Sequence, residues 1–139
     1  MAGMKAHSMD ENELRQLTQD TAKRLFGTPK DGEGIYALWK EFDPELARAF
    51  STFVTGRLYA REVLTQRERE LCAVGALTVL NFWDELRLHC IAALNAGASP
   101  KEVAEVIFQM ATYGGVPCMI NGLRTLKSVL QERGEWDTR

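Results

Sequence analysis

Histidine and paired cysteine are what this sequence has least of. Only two histidines, His7 and His89, occur in 139 residues. Carboxylate-bridged dimetal bundles need Glu and His three apart on each of two helices, and that repeat is not there. With one internal histidine and no cysteine pair, no metal is expected. The three cysteines, Cys72, Cys90 and Cys118, are odd in number, far apart and embedded in apolar helical patterns. They offer no disulfide framework and are read as reduced core residues. No uninterrupted apolar run approaches the ~18 residues that cross a bilayer. The opening MAGMKAHSMDENEL has no apolar stretch of the secretory kind, so no membrane association is expected and the default location is cytoplasmic. Seventeen basic residues are interspersed with 19 acidic ones for a net charge of -2. Such a mixture makes no sustained positive field, which argues against nucleic acid as a partner. Internal repeats, low-complexity tracts and Gly-rich phosphate loops are missing as well.

What is present is helical punctuation. The chain is 45% hydrophobic and 26% charged, the composition of a folded globular protein, and its length suits one core. Ser8 followed by Glu11 reads as a capping box, with Leu14, Leu17, Thr21 and Leu25 then recurring at helical spacing up to Gly27-Thr28-Pro29. The mixed-charge segment 30–34, with two glycines, divides an N-terminal helical arm, residues 1–34, from a main body, residues 35–139. The arm is expected to rest on a neighbour. A short helix over Ile35 to Phe42 is followed by the N-cap and N1 pair Asp43-Pro44, and Leu46, Phe50, Phe53 and Leu58 mark a second long helix. Thr65 to Glu68 forms a capping box for a helix carrying Leu71, Val74, Gly75, Thr78 and Phe82 on one side. Glu85 to Ala96 is the next helix and stops at Gly97. Ser99-Pro100 with Glu102 starts another, which runs to Gly114-Gly115-Val116-Pro117, and a last helix spans Cys118 to Arg133. The expected architecture is all-α, a bundle of about six helices whose core rests on the segments 65–82, 85–96 and 99–113.

Chemistry can centre on few residues. His7 lies in a polar, solvated stretch, which leaves His89. Glu85, four residues earlier on the same helix, shares its face. A carboxylate partner fixes an imidazole's tautomer, as a general acid or proton shuttle near neutral pH requires. The same spacing also describes an ordinary surface pair. Glu70, 19 residues before His89, can reach the same place if the two helices form an antiparallel hairpin. In RERE it equally reads as a solvated charge.

The stretches LTQREREL and ELRLHCIAALNAGASPKEVAEVIFQMATYGGVP, within residues 64–126, resemble the carboxymuconolactone decarboxylase family. The resemblance rests on Glu85-Leu86-x-x-His89, Ala93-Leu94-x-x-Gly97, Glu102-x-x-Glu105 and Tyr113-x-Gly115-x-Pro117. It implies the all-α fold of that superfamily, assembly as a homotrimer or homohexamer with sites near subunit contacts, and no cofactor. In the related alkylhydroperoxidase D-like branch, a Cys-x-x-Cys pair sits between a helical Glu and a downstream His. Glu70 and His89 match the outer members here, but Phe82 and Glu85 occupy the cysteine positions, so the reactive dithiol is missing. Glu85 followed by His89 is similar to the lactone decarboxylase branch, while Glu70 and the long N-terminal arm depart from it.

The resemblance implies decarboxylation of a carboxylated lactone of the γ-carboxymuconolactone type, in aromatic compound catabolism. His89 would be the acid that protonates carbon, Glu85 would orient and charge it, and Glu70 would assist proton exchange or hold a water. Arg57, Arg61 and Arg87 are the guanidiniums available for substrate carboxylates. Phe53, Trp83 and Tyr113 are candidates for an apolar wall, beside a turn set by Gly114, Gly115 and Pro117. Two alternatives stay open: a thiol-based antioxidant protein using the cysteines, and a non-catalytic oligomeric binding module that shares the fold.

Overall fold

The computed structural model describes residues 9–28 and 34–138, and every regular element among them is helical. The chain forms two compact units, residues 1–65 and residues 66–139. No helix among the described residues is long and apolar enough to cross a membrane.

The N-terminal unit begins with α1, Glu11–Phe26. Its capping box lies two residues later than the one the sequence suggests. Asp10 Oδ1 accepts from the Glu13 amide at 2.8 Å and Glu13 Oε2 accepts from the Asp10 amide at 3.1 Å, whereas Ser8 lies outside the described residues. Asp10 wins because it carries the same 3-residue relation to a glutamate with a carboxylate in place of a hydroxyl, and carboxylates suit the positive end of a helix. The inner face of α1 is Leu14, Thr18, Thr21 and Leu25. Thr18 takes an interior position without an unsatisfied hydroxyl, because Oγ1 donates to the Leu14 carbonyl at 2.7 Å.

Helix α2, Ile35–Phe42, is followed directly by α3, Pro44–Ser51. Asp43 caps α3, its carboxylate accepting from the amides of Glu45 and Leu46, both at 2.9 Å. The expected single long helix does not continue to Leu58. From Thr52 to Tyr59 the backbone widens into a π-helical stretch. Its apolar bulk does not face inward either: Leu46, Phe50, Phe53 and Leu58 are all exposed, and the buried positions are the small residues Ala47 and Gly56. A Cβ on Gly56 would stand 2.1 Å from Thr18 Oγ1. Small size, which lets the π stretch approach α1, decides burial here over hydrophobicity.

The C-terminal unit contains α4 (Gln66–Leu80), α5 (Trp83–Asn95), α6 (Pro100–Gln109), the single turn α7 (Ala111–Gly114), α8 (Val116–Glu132) and a 3-10 turn, Trp136–Thr138. Helix α4 starts directly after Thr65, as the capping box predicts. It ends before Phe82, which is exposed and stands at the N-cap of α5 instead of on α4's inner face. The reversal happens at Asn81, whose φ of 60° is left-handed, a conformation asparagine tolerates better than most residues. At α6, Ser99 Oγ accepts from the Glu102 amide at 3.2 Å while Glu102 Oε2 accepts from the Ser99 amide at 2.8 Å, completing the predicted capping box. Helix α8 begins at Val116, not Cys118, with Pro117 in its first turn, where a missing N–H costs nothing.

The core of this unit joins Val74, Leu86, Cys90, Ala93, Val103 and Ile107 to Leu126, Val129 and Leu130. The last three make α8 a fourth wall that the three-helix core expected from sequence leaves out. Leu86, Ile107 and Leu130 are fully buried, and truncating any one to alanine costs about 2–5 kcal/mol. Close approach of α8 depends on Gly122, where a Cβ would lie 2.8 Å from Ile107 Cγ2 and 3.1 Å from Thr78 Cγ2.

Candidate functional site

Helices α4 and α5 run antiparallel out of the Asn81 turn. Glu70 lies about three helical turns before that turn and His89 about two after it, so the hairpin brings them together. His89 Nδ1 is 2.6 Å from Glu70 Oε2. The Glu70 side chain is 0% exposed and that of His89 is 22% exposed, so the pair is an interior carboxylate capped by an imidazole that solvent reaches. The second carboxylate oxygen, Oε1, is buried with no hydrogen-bond partner among the described residues. Burying a carboxylate costs several kcal/mol unless it is paired and hydrogen-bonded. Here one imidazole supplies the pairing. The reading of Glu70 as a solvated charge is overturned, because the turn that starts α5 folds His89 back over it.

The carboxylate on His89 Nδ1 is therefore that of Glu70, not Glu85. Glu85 is exposed in the first turn of α5 beside Asp84, where a negative charge meets the positive end of the helix. Two ion pairs hold the hairpin in place. Arg67, three residues before Glu70, pairs with Glu102 on α6, and Arg87, two residues before His89, pairs with Glu132 on α8. Arg87 is thus paired with a carboxylate of α8 in this structure. The Arg67 contact carried no signal in the sequence beyond charge. Glu102 is held below the usual carboxylate range by the Ser99 amide, then the Ser99 hydroxyl, then Arg67.

Trp83 packs against the hydrophobic core, and Tyr113 is 69% exposed on α7. Arg57, Arg61 and Phe53 belong to the N-terminal unit, on its exposed surface. Among the cysteines, Cys72 is exposed rather than in the core, while Cys90 and Cys118 are buried. Burial pushes the Cys90 thiol up to about 12, and the Cys118 thiol donates to the Gly115 carbonyl at 3.1 Å. All three are free thiols. No group of three His, Cys, Asp or Glu side chains able to hold a metal occurs among the described residues.

The model of the carboxymuconolactone decarboxylase family matches residues 44–128, more than half of the sequence. The chain belongs to this family. Its Glu70–His89 hairpin lies wholly inside the matched region. Similar proteins include an uncharacterised 15.0 kDa protein of Paracoccus denitrificans, 42% identical over 58% of this chain and 61% of its own length. The 4-carboxymuconolactone decarboxylase of Acinetobacter baylyi is 28% identical over 68% of this chain and 70% of its own length. The nitrosuccinic acid decarboxylase of Metarhizium robertsii is 27% identical over 58% and 59%, respectively. Two of the three matches thus span under two thirds of the relative's own length.

Proposed function

We propose that this member of the carboxymuconolactone decarboxylase family is a cofactor-free decarboxylase acting on a small carboxylated lactone of the γ-carboxymuconolactone type. The observation that carries the proposal is the buried Glu70 carboxylate 2.6 Å from His89 Nδ1. Two relatives whose names specify decarboxylation of different acids support loss of CO2 as the shared step. In the reaction, the bond between ring carbon and carboxylate carbon breaks, CO2 leaves, and its electron pair passes into the ring double bond and lactone carbonyl as a dienolate. A proton then bonds to carbon. With Nδ1 fixed on Glu70, delivery of that proton falls to Nε2 of His89, and solvent restores it through the exposed part of the ring. Glu70 is the positioning residue, holding tautomer and ring plane. Exposed Arg57 and Arg61 remain candidates for the substrate's carboxylates, and Glu85 for charge near the start of α5. A small acid is the expected partner, within a homo-oligomer.

A thiol-peroxidase reading is disfavoured by Cys90, whose burial keeps it protonated far above neutral pH. The test is CO2 release from γ-carboxymuconolactone by the wild-type protein beside His89→Ala and Glu70→Gln, with helicity and oligomeric state checked in each. Turnover lost in a folded His89→Ala supports the assignment. Absence of turnover by wild type removes this substrate, and undiminished turnover in His89→Ala removes the mechanism.

A further inference from the structure

The C-terminal unit carries a second feature, away from Glu70 and His89. Helices α6 and α8 and the 3-10 turn enclose an open groove of about 800 Å³, within the range of small-molecule sites. Its floor is Leu126 and Leu130, both buried, and its walls include Ala104, Leu123 and Trp136. At one end Phe108 and Ile120 stay 50% and 40% exposed, leaving an apolar surface that faces the opening.

The polar groups of the groove are mostly of one sign. Lys101, Arg124 and Lys127 line it, against the single acid Asp137. Elsewhere in this unit Arg67, Arg87 and Arg133 each pair with a glutamate. The three groove cations have no such ion pair among the described residues. Arg124 donates to Asn121 Oδ1 at 3.0 Å, and the Lys127 ammonium sits 4.9 Å from the centre of the Trp136 ring. The close approach of Ile107 to Gly122 sets the register of α6 on α8. Counting helical rise from that contact, Lys101 comes level with Lys127 at the Trp136 end, opposite in direction to Phe108 and Ile120. The groove therefore has a cationic end and an apolar end.

We propose that this groove binds an amphipathic monocarboxylate, with the carboxylate at Lys101 and Lys127 and the hydrocarbon running toward Phe108 and Ile120. Three cations against Asp137 leave a surplus of two positive charges; the carboxylate offsets one at the paired lysines while Arg124 stays on Asn121, and the apolar length disfavours a compact polyanion. Charge-assisted hydrogen bonds to a carboxylate are stronger than neutral ones, so the head group selects acids over alcohols of the same length. The proposal is independent of the reaction at His89.

The test uses the full-length protein with octanoate as probe and 1-octanol as the neutral comparator, followed by calorimetry and by the indole N–H signal of Trp136, assigned with Trp136→Phe. Octanoate is expected to bind saturably at one site per chain, about tenfold tighter than 1-octanol. Lys101→Gln/Lys127→Gln should abolish that preference, and Phe108→Ser should weaken both probes severalfold. Equal binding of acid and alcohol, a preference that survives the double lysine variant, or no saturable binding would overturn the proposal. So would a Phe108→Glu variant that lowers the assembly's mass while octanoate binds neither form, since the groove would then be covered by a second copy.

Discussion

Removing the imidazole from over Glu70 should be more destabilising than removing the charge beneath it. In His89→Ala the carboxylate stays in a site that is 0% exposed, and neither oxygen has a partner among the described residues. Breaking a buried ion pair from one side costs about 3–5 kcal/mol. The 22% exposure of His89 lets water into the vacated space, which puts the expected cost near the lower figure, about 3 kcal/mol. Glu70→Gln keeps an acceptor for the Nδ1 proton and should cost about 1 kcal/mol. In the double variant the buried group is a neutral amide, with a cost of about 2 kcal/mol. The double variant is thus expected to be more stable than His89→Ala alone, and the two sites to couple by about 2 kcal/mol. Urea unfolding of the four proteins, followed by circular dichroism with unchanged m-values, measures each corner. Additivity within about 0.5 kcal/mol, or a Glu70→Gln that is worse than His89→Ala, would refute the reasoning.

Other expectations follow from titrating groups outside the pair. Cys90 keeps its proton in the folded protein to about 12, while the unfolded thiol ionises near its ordinary 9.0. Its contribution to stability is therefore complete below pH 9.0 and is lost as pH rises from there toward about 12. Native protein at neutral pH should accordingly show one rapidly alkylated thiol, Cys72, and equal rates at all three cysteines would contradict the burial of Cys90 and Cys118. Glu102 behaves oppositely. Its lowered proton affinity favours the fold above its ordinary 4.5, and that contribution disappears as pH falls through the depressed folded-state value. Glu102→Gln should therefore lose less stability than wild type on acidification through that window, as read from urea midpoints at successive pH values.

Helix positions were mostly legible because caps and left-handed residues are local chemistry. Asp43-Pro44, Thr65, and Ser99 with Glu102 each announce a start within a few residues. What stayed hidden was decided by distant parts of the chain. Nothing in RERE distinguishes Glu70 from its neighbours until His89 is folded onto it. The i, i+4 relation of Glu85 to His89 was a true statement about one helix face, but the carboxylate on His89 Nδ1 comes from the adjoining helix. Leu46, Phe50, Phe53 and Leu58 have helical spacing, yet Gly56 rather than any of them meets α1. Cys72 illustrates the same limit, being exposed on a helix whose apolar neighbours at Val74 and Gly75 are buried.

Glu70 and His89 are only 19 residues apart, joined by one tight turn at Asn81. Closing so short a loop carries a small entropic penalty, and the segment needs no distant strand or domain to bring its two groups face to face. The Glu70–His89 pair therefore travels as a cassette. Substitutions in the helices around it can reshape the neighbouring surface while the imidazole and its carboxylate keep their spacing, so the pair and its surroundings can vary separately.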